Sequence, residues 1–486
     1  MAEKKSLKLN FIMNAILTMS SFLFPLISFP YVSRVLLSEG TGKVALATSV
    51  VAYFLIFAQL GIPTYGVRAC AKVRDDKRLL TKTAQELLII NLVMAAVAYA
   101  ALFGAVIFIP RLRQERGLYL LVSLTIFFTT IGMEWLYKAL EQYTYITVRS
   151  LIFKLIALAA MFALVHSKDD YVIYGGITIF ASSASGLMNF IHARRYISLR
   201  PVGGYEFKPH LKAVAVFFAM ACASTVYTNL DVVMLGFMVP DEIVGHYNAA
   251  VRIKSILVSI VTSLGTVLLP RASYYVEHRQ MDQFRKITAK ALKFVMLLAL
   301  PLVLYFMLFA RQGILLLSGE DFMGAVAPMQ WIMPTLLFIG LTNVMGIQIL
   351  VPTGREKKVL WSIIAGAVVD VALNVVLIPK FGVAGAAAAT TVAELAVLIV
   401  QFVFLRKEVA SVFRRLPYWK MALALLAAVA ASFWVAQLGM GEFPALVLSA
   451  ALFFGSYAVM LLITRETLVL DIVSQFLGKL LKKEKK

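Results

Sequence analysis

Two pairs of polar residues stand four apart inside long apolar runs: Asp370 with Asn374, and Thr390 with Glu394. Spacing of four puts both members of a pair on one helix face. A third acid, Asp231, shares its face with Ser224, Tyr227 and Thr228. Carboxylates, an amide and hydroxyls form the oxygen set that suits a hard cation, and a carboxylate in such a place can also relay a proton. Asp231, Asp370, Asn374 and Thr390 are therefore candidates for a coupling-ion site taking Na⁺ or a proton. Glu394 is a further ligand or the proton carrier. The competing reading is a salt bridge from Asp231 to Arg252 or Lys254, which would use up the same charges.

Basic residues interrupt the apolar runs as well. Arg252 and Lys254 both lie in the run 244–270. Two positions apart is about 200° around a helix, so they cannot share a face. The face of Arg252 carries Gly245, Asn248, Ser255, Ser259 and Ser263, and that of Lys254 carries Tyr247, Ala250, Val258 and Val261. A guanidinium matches phosphate oxygens with its fork of donors. Arg252 is thus a candidate for holding a diphosphate, with Asn248, Ser255 and Ser259 lining a polar cavity. Arg34, at the end of the first run, is the second such candidate. Lys254 reads as snorkelling or pairing with a neighbouring helix, and Lys154 and Glu134 as snorkelling to the surface.

The elements that must position these groups follow from composition. The chain has 486 residues, 61% of them hydrophobic, and a mean hydropathy of +0.84. Soluble domains run nearer 45–50% apolar. A membrane span takes about 20 mostly apolar residues, and the sequence offers fourteen such runs, centred near residues 22, 52, 97, 127, 156, 182, 224, 256, 300, 336, 368, 394, 429 and 453. The short alternating segments of a β-barrel are absent. The expected class is an all-α polytopic membrane protein with fourteen transmembrane helices. With that count both termini share a side. The opposite loops hold only Arg34, Lys43, Arg111, Arg113, Arg116, Lys168, Arg311 and Lys380 of the 47 Lys and Arg. The bias places both termini in the cytoplasm of a bacterial or archaeal cytoplasmic membrane. The net charge of +21 is then a topology signal and a contact with anionic membrane lipids, not a nucleic-acid footprint. The polar, basic N-terminus lacks a small-residue cleavage site, so the first helix is expected to stay uncleaved. The tail 466–486 spaces Leu468, Ile472, Phe476 and Leu480 as an amphipathic helix on the inner leaflet. Cys70, expected in a loop, and Cys222, in a span, suggest neither a disulfide nor a metal site.

An internal repeat organises the chain. "VLLSEGTGKVALATSVVAYFLIFAQLGIPTYGVRA" (35–69) parallels "GFMVPDEIVGHYNAAVRIKSILVSIVTSLGTVLLPRA" (236–272). In each, an acidic turn is followed by a Gly that opens the next span (Gly42, Gly245), then another Gly (Gly61, Gly265), then Pro and Arg. "YVIYGGITIFASSASGLMNFIHARR" (171–195) likewise parallels "FGVAGAAAATTVAELAVLIVQFVFLRK" (381–407). The expected domains are an N-terminal lobe at 1–200 (helices 1–6), a C-terminal lobe at 201–410 (helices 7–12), and helices 13–14 with a tail at 411–486. Two six-helix lobes of like orientation imply a central cavity and alternating access.

The stretches "SRVLLSEGTGKV", "FAQLGIPTYGVRACAKVRDD" and "DVVMLGFMVPDEIVGHYNAAVRI" resemble the polysaccharide-transporter, or Wzx-type, oligosaccharide flippases. These belong to the MOP group with the MATE drug exporters and the lipid II flippases. The resemblance covers about residues 8–465. After "SRVL" the family pattern continues with Gly and Pro, where this chain has Leu37-Ser38-Glu39. The resemblance implies transfer of an undecaprenyl-diphosphate-linked oligosaccharide to the outer leaflet, for O-antigen, capsule or exopolysaccharide synthesis. It implies a cation site in the C-terminal lobe on helices 7, 11 and 12. It also implies work beside a polymerase and glycosyltransferases, and no enzymatic activity or cofactor beyond the coupling ion. The rival readings are a lipid II flippase and a cation-coupled, MATE-type multidrug exporter. Helices 1 and 2 contain no acid within their spans, which speaks against cationic drugs. A membrane glycan polymerase would need a sizeable outer loop with catalytic carboxylates, and loops such as "MVPDE" (238–242) are too short. No phosphate-cradling Gly loop, HExxH or supported Ser/His pairing is present.

Overall fold

The computed structural model describes residues 7–471 and 474; the expected amphipathic tail beyond 471 otherwise lies outside them. The described residues form helices joined by turns and by one longer connection at 194–207. That follows from the apolar runs, because in lipid a helix satisfies its own backbone. Among the described residues, ten helices are long and apolar enough to cross a membrane, and an eleventh span results if Glu320–Ile332 and Thr335–Leu350, bent by 47°, are counted together. Helix Lys77–Phe108 shows how they are built. It buries Leu80, Ala84, Leu87, Asn91, Ala95, Ala98 and Leu102 at helical spacing and exposes Leu92, Val93, Val97, Phe103 and Ile107. Of its two buried amides, Gln85 and Asn91, the deeper, Asn91, donates to the Ala58 carbonyl at 2.8 Å.

Two helices are far longer than a bilayer. Leu7–Gln59 has 53 residues and Glu356–Arg414 has 59, and each holds one break. Leu37 breaks the first at φ 59°, ψ −175°. This backbone region is open almost only to glycine, so the Leu at the position where the family pattern carries Gly sits in strained backbone. Gly382 breaks the second at φ 56° without that strain. Cys70, expected in a loop, is buried on helix Ile62–Lys72, which starts with Gly61 in the left-handed region and a Pro in its first turn.

The chain divides into two compact units, 1–248 and 249–486. The first unit holds a core around Val32, Leu36, Ala98, Leu118, Ile126 and Met161. In it, helix Tyr143–Leu164 runs parallel to the first part of Leu7–Gln59 and is tied to it at three heights. Thr147 donates to the Met13 carbonyl at 2.9 Å, Lys154 to the Ser20 hydroxyl at 2.9 Å, and Tyr31 to the Val165 carbonyl at 2.7 Å. Each tie joins residues 134 apart in the chain, so one register holds along the seam. The core of the second unit gathers Leu292, Val295, Tyr305, Met345, Phe453 and Tyr457.

Candidate functional site

In the second unit the halves of Glu356–Arg414 fold back on each other. A Cβ on Gly385 would lie 2.3 Å from the Leu377 carbonyl oxygen and 3.2 Å from the Ile378 nitrogen, so only glycine allows that approach. At the other end Gln401 donates to the Ser362 hydroxyl at 3.0 Å. Both contacts fit one antiparallel register, with Ile378 facing Gly385 and Ser362 facing Gln401. In that register Asp370 faces Ala393, beside Glu394, and Asn374 faces Ala389, beside Thr390. All four polar residues are buried, Asp370 at 1% exposure and Asn374 at 0%. The Thr390 hydroxyl donates to the Ala386 carbonyl at 3.0 Å. The seam therefore holds two carboxylates near its middle, Asp370 about 12 Å from either end, with the amide of Asn374 and the hydroxyl of Thr390 about one turn nearer the Gly385 end.

Asp231 lies on helix Lys208–Met238 in the first unit, where Tyr247 donates to its buried carboxylate. Arg34 is exposed, and its guanidinium donates to the Pro30 carbonyl at 2.7 Å. Arg252 and Asn248 are half-buried on helix Asp241–Glu277. Along the same stripe Ser255 and Ser263 are exposed, whereas Tyr247, Ala250 and Val261 on the opposite face are buried. The serines spend their hydroxyl protons on their own helix: Ser255 on Val251 at 2.8 Å and Ser259 on Ser255 at 2.7 Å. Such back-bonding leaves the oxygen lone pairs free to accept.

One cation differs from the sequence expectation, and another is new to the site. Lys154 does not snorkel to the surface. It turns across the seam and donates to Ser20 at 2.9 Å and Ser21 at 3.0 Å. Arg149, which the sequence analysis does not single out, is buried within Tyr143–Leu164. It donates to the Asn189 side chain, and its guanidinium lies over the Tyr145 ring at 5.8 Å. Glu134 is paired with Lys138 at 2.8 Å and Arg149 at 3.6 Å, so it is a bridging acid and not a snorkelling one. The signal that could have exposed Arg149 is its place four residues after Tyr145, one turn along the same helix face.

The repeat's two opening glycines meet within the first unit. A Cβ on Gly42 would lie 1.9 Å from the Asp241 carbonyl oxygen, and one on Gly245 would lie 1.9 Å from that of Ser38. Beside this contact Arg111 grips Asp241 with both terminal nitrogens, at 2.5 and 3.2 Å, and donates through Nε to the Gly236 carbonyl at 2.9 Å. A fork-to-carboxylate bond of this kind fixes geometry as well as charge.

The comparisons with known proteins agree with this architecture. A family model described as "Polysaccharide biosynthesis protein" matches residues 7–276, and the MatE model matches residues 216–376. A relative from Escherichia coli (strain K12), named "Putative O-antigen transporter", is 24% identical over 84% of this chain and 98% of its own length. Among solved structures, the lipid II flippase MurJ in an inward closed conformation superposes with a TM-score of 0.75 at 15% identity, covering 94% of this chain and 99% of that one. An inward-facing multidrug resistance MATE family transporter of the MOP superfamily gives 0.60 at 14% identity over 81% and 95%. The chain belongs to the polysaccharide biosynthesis protein family and shares the fold of the lipid II flippase and MATE transporter structures.

Proposed function

We propose that this protein carries an undecaprenyl-diphosphate-linked oligosaccharide from the cytoplasmic to the outer leaflet by alternating access, for the synthesis of a surface polysaccharide. The observation that carries this reading is the end-to-end match to a relative named as an O-antigen transporter, within a family that the chain shares. The chain resides in the cytoplasmic membrane with both termini inside, beside the polymerase and glycosyltransferases of its pathway. Fourteen spans are the count we favour. It follows if each broken helix, Leu7–Gln59 and Glu356–Arg414, crosses twice, and if Asp241–Glu277 and the bent pair each cross once.

Arg252 and Arg34 are the proposed contacts of the diphosphate, with Asn248, Ser255 and Ser259 offering hydrogen bonds to sugar hydroxyls. The lone pairs that the serines leave open support this role. Asp370, Asn374, Thr390 and Glu394 are the proposed coupling-ion residues, for Na⁺ or a proton, with Asp231 as a further carboxylate. Their burial in one seam supports the reading, since carboxylate, amide and hydroxyl oxygens are the set that suits a hard cation. No covalent step is needed. Work comes from the ion gradient or from mass action.

The test is genetic. Deleting the gene in its host is expected to abolish surface polysaccharide and to strand lipid-linked units on the cytoplasmic leaflet. The wild-type chain restores display, and Arg252→Ala or Arg34→Ala at matched expression lowers it. Undiminished polysaccharide in the deletion strain overturns the flippase assignment, and full display in both arginine variants overturns the diphosphate contacts alone.

A further inference from the structure

By sequence the stretch 236–248 belongs to the second repeat, yet it packs within the first compact unit. Its contact there is with the matching stretch of the first repeat. Gly42 meets the Asp241 carbonyl and Gly245 meets the Ser38 carbonyl, each so closely that only a hydrogen fits on the glycine. Ser38 and Thr41 beside them are buried, and the Thr41 hydroxyl is turned back on its own helix, 3.0 Å from the Leu37 and Ser38 carbonyls. The touching residues are small or polar, with Leu46 over Gly236 as the apolar exception. Glycine and serine bury little apolar area, so such a contact adheres weakly by itself.

Arg111 reaches this contact from a third element, the short helix Pro110–Gln114. It bonds at three points: both terminal nitrogens to the Asp241 carboxylate, and Nε to the Gly236 carbonyl. Gly236 lies in the last turn of Lys208–Met238, and Asp241 opens Asp241–Glu277. One side chain therefore spans the end of one helix and the start of the next. The Asp241 side chain is 11% exposed, so taking away either partner strands a charge largely out of water. A second ionic cluster stands close by. There Lys43 pairs with Glu39 at 2.9 Å and with Glu115 at 3.1 Å, and Tyr171 donates to Glu115 at 2.7 Å. All four residues belong to the first repeat, so that cluster stays whole however the repeats move. Of the two clusters, Arg111–Asp241 is the one that crosses from repeat to repeat.

We propose that Arg111 is the bolt of an outer gate: its fork to Asp241 holds the glycine contact shut, and access from the outer side opens when that pair parts. The outer side, and the cycle in which the contact opens, rest on the alternating-access reading above. The glycines let two backbones close flush without interlocking side chains, so they separate without repacking. The arginine sets how firmly the closed state is held.

The test reads access directly and involves no cargo. Ser38→Cys, placed in the contact of a Cys70→Ala/Cys222→Ala chain, is labelled with a membrane-impermeant maleimide in full-length protein held in nanodiscs. This parent is expected to label slowly. Arg111→Ala and Asp241→Asn are each expected to raise the rate about tenfold, and Arg111→Lys, which keeps the charge and loses the fork, about threefold. The two losses combined are expected to open the contact no further than one alone, because they break the same bond. Glu86→Gln is the control. It loosens the opposite end of Lys208–Met238, where Glu86 bonds His210 at 2.8 Å, and its rate is expected to match the parent. Matched gel-filtration profiles establish that each variant is folded. Fast labelling of the parent, or parent-rate labelling in Arg111→Ala, overturns the bolt and leaves the flippase reading standing. Additive opening in the double variant overturns the pair as one bolt. Equal opening in Glu86→Gln reduces the effect to general loosening of the helix, which overturns it too.

Discussion

The protein builds two buried seams of the same kind and fills them with opposite charge. One is parallel and joins Leu7–Gln59 to Tyr143–Leu164 in the first unit. The other is antiparallel and joins the halves of Glu356–Arg414 in the second. Each is held in register at its ends and polar in its middle. In the first the middle is an ammonium with two hydroxyls, which suits an anion. In the second it is two carboxylates with an amide and a hydroxyl, which suits a cation. Nothing in helix packing alone requires this division. The proposed coupling of an anionic cargo to a cation would use it.

The largest expected effect comes from destroying one seam and sparing the other. Gly385→Leu forces side-chain atoms into the Leu377 carbonyl, so the yield of monodisperse protein should fall several-fold. Wild-type yield from this variant would mean that the antiparallel register is not what holds the acids together. A milder change tests the charge and keeps the seam. Asp370→Asn retains shape and removes one carboxylate, so ion-dependent transport should drop about tenfold or more while folding is unchanged. Transport by this variant that keeps its wild-type dependence on Na⁺ or pH would break the contrast between the seams. The smallest effect is a gain. Leu37→Gly relieves the strained φ of 59° in the broken helix that carries the first seam, and should raise stability by about 1 kcal/mol after the entropy cost of glycine. A thermal midpoint that falls in this variant would show that the leucine side chain contributes more than the strain costs.

Much of this was legible in the sequence, for physical reasons. The bilayer admits helices and little else, so apolar runs of span length locate the elements directly. The i, i+4 pairs Asp370/Asn374 and Thr390/Glu394 also announce a shared face. What stayed hidden is whatever depends on a partner far along the chain. Lys154 was read as snorkelling because nothing near it reveals a serine pair 134 residues away. Arg149 does not stand out in the sequence because its partner Asn189 is 40 residues away. The sequence places Cys70 in a loop because helix Ile62–Lys72 is too short and too polar to resemble a span. The strain at Leu37 is a further case: the departure from Gly was visible, but not that the backbone keeps the glycine conformation regardless.

The fixed offset of the parallel seam has a mechanical consequence. Three ties at one offset mean that a slip by a single residue would break all of them at once, so these two helices cannot work as a piston. Bending is the motion left to them. Pro25 and Pro30 both fall between the second tie and the third, where each removes a backbone hydrogen bond from the first helix. The stretch from Ser21 to Tyr31 is thus the compliant part of an otherwise stiff beam, and any stroke of the first unit is set by the angle taken there.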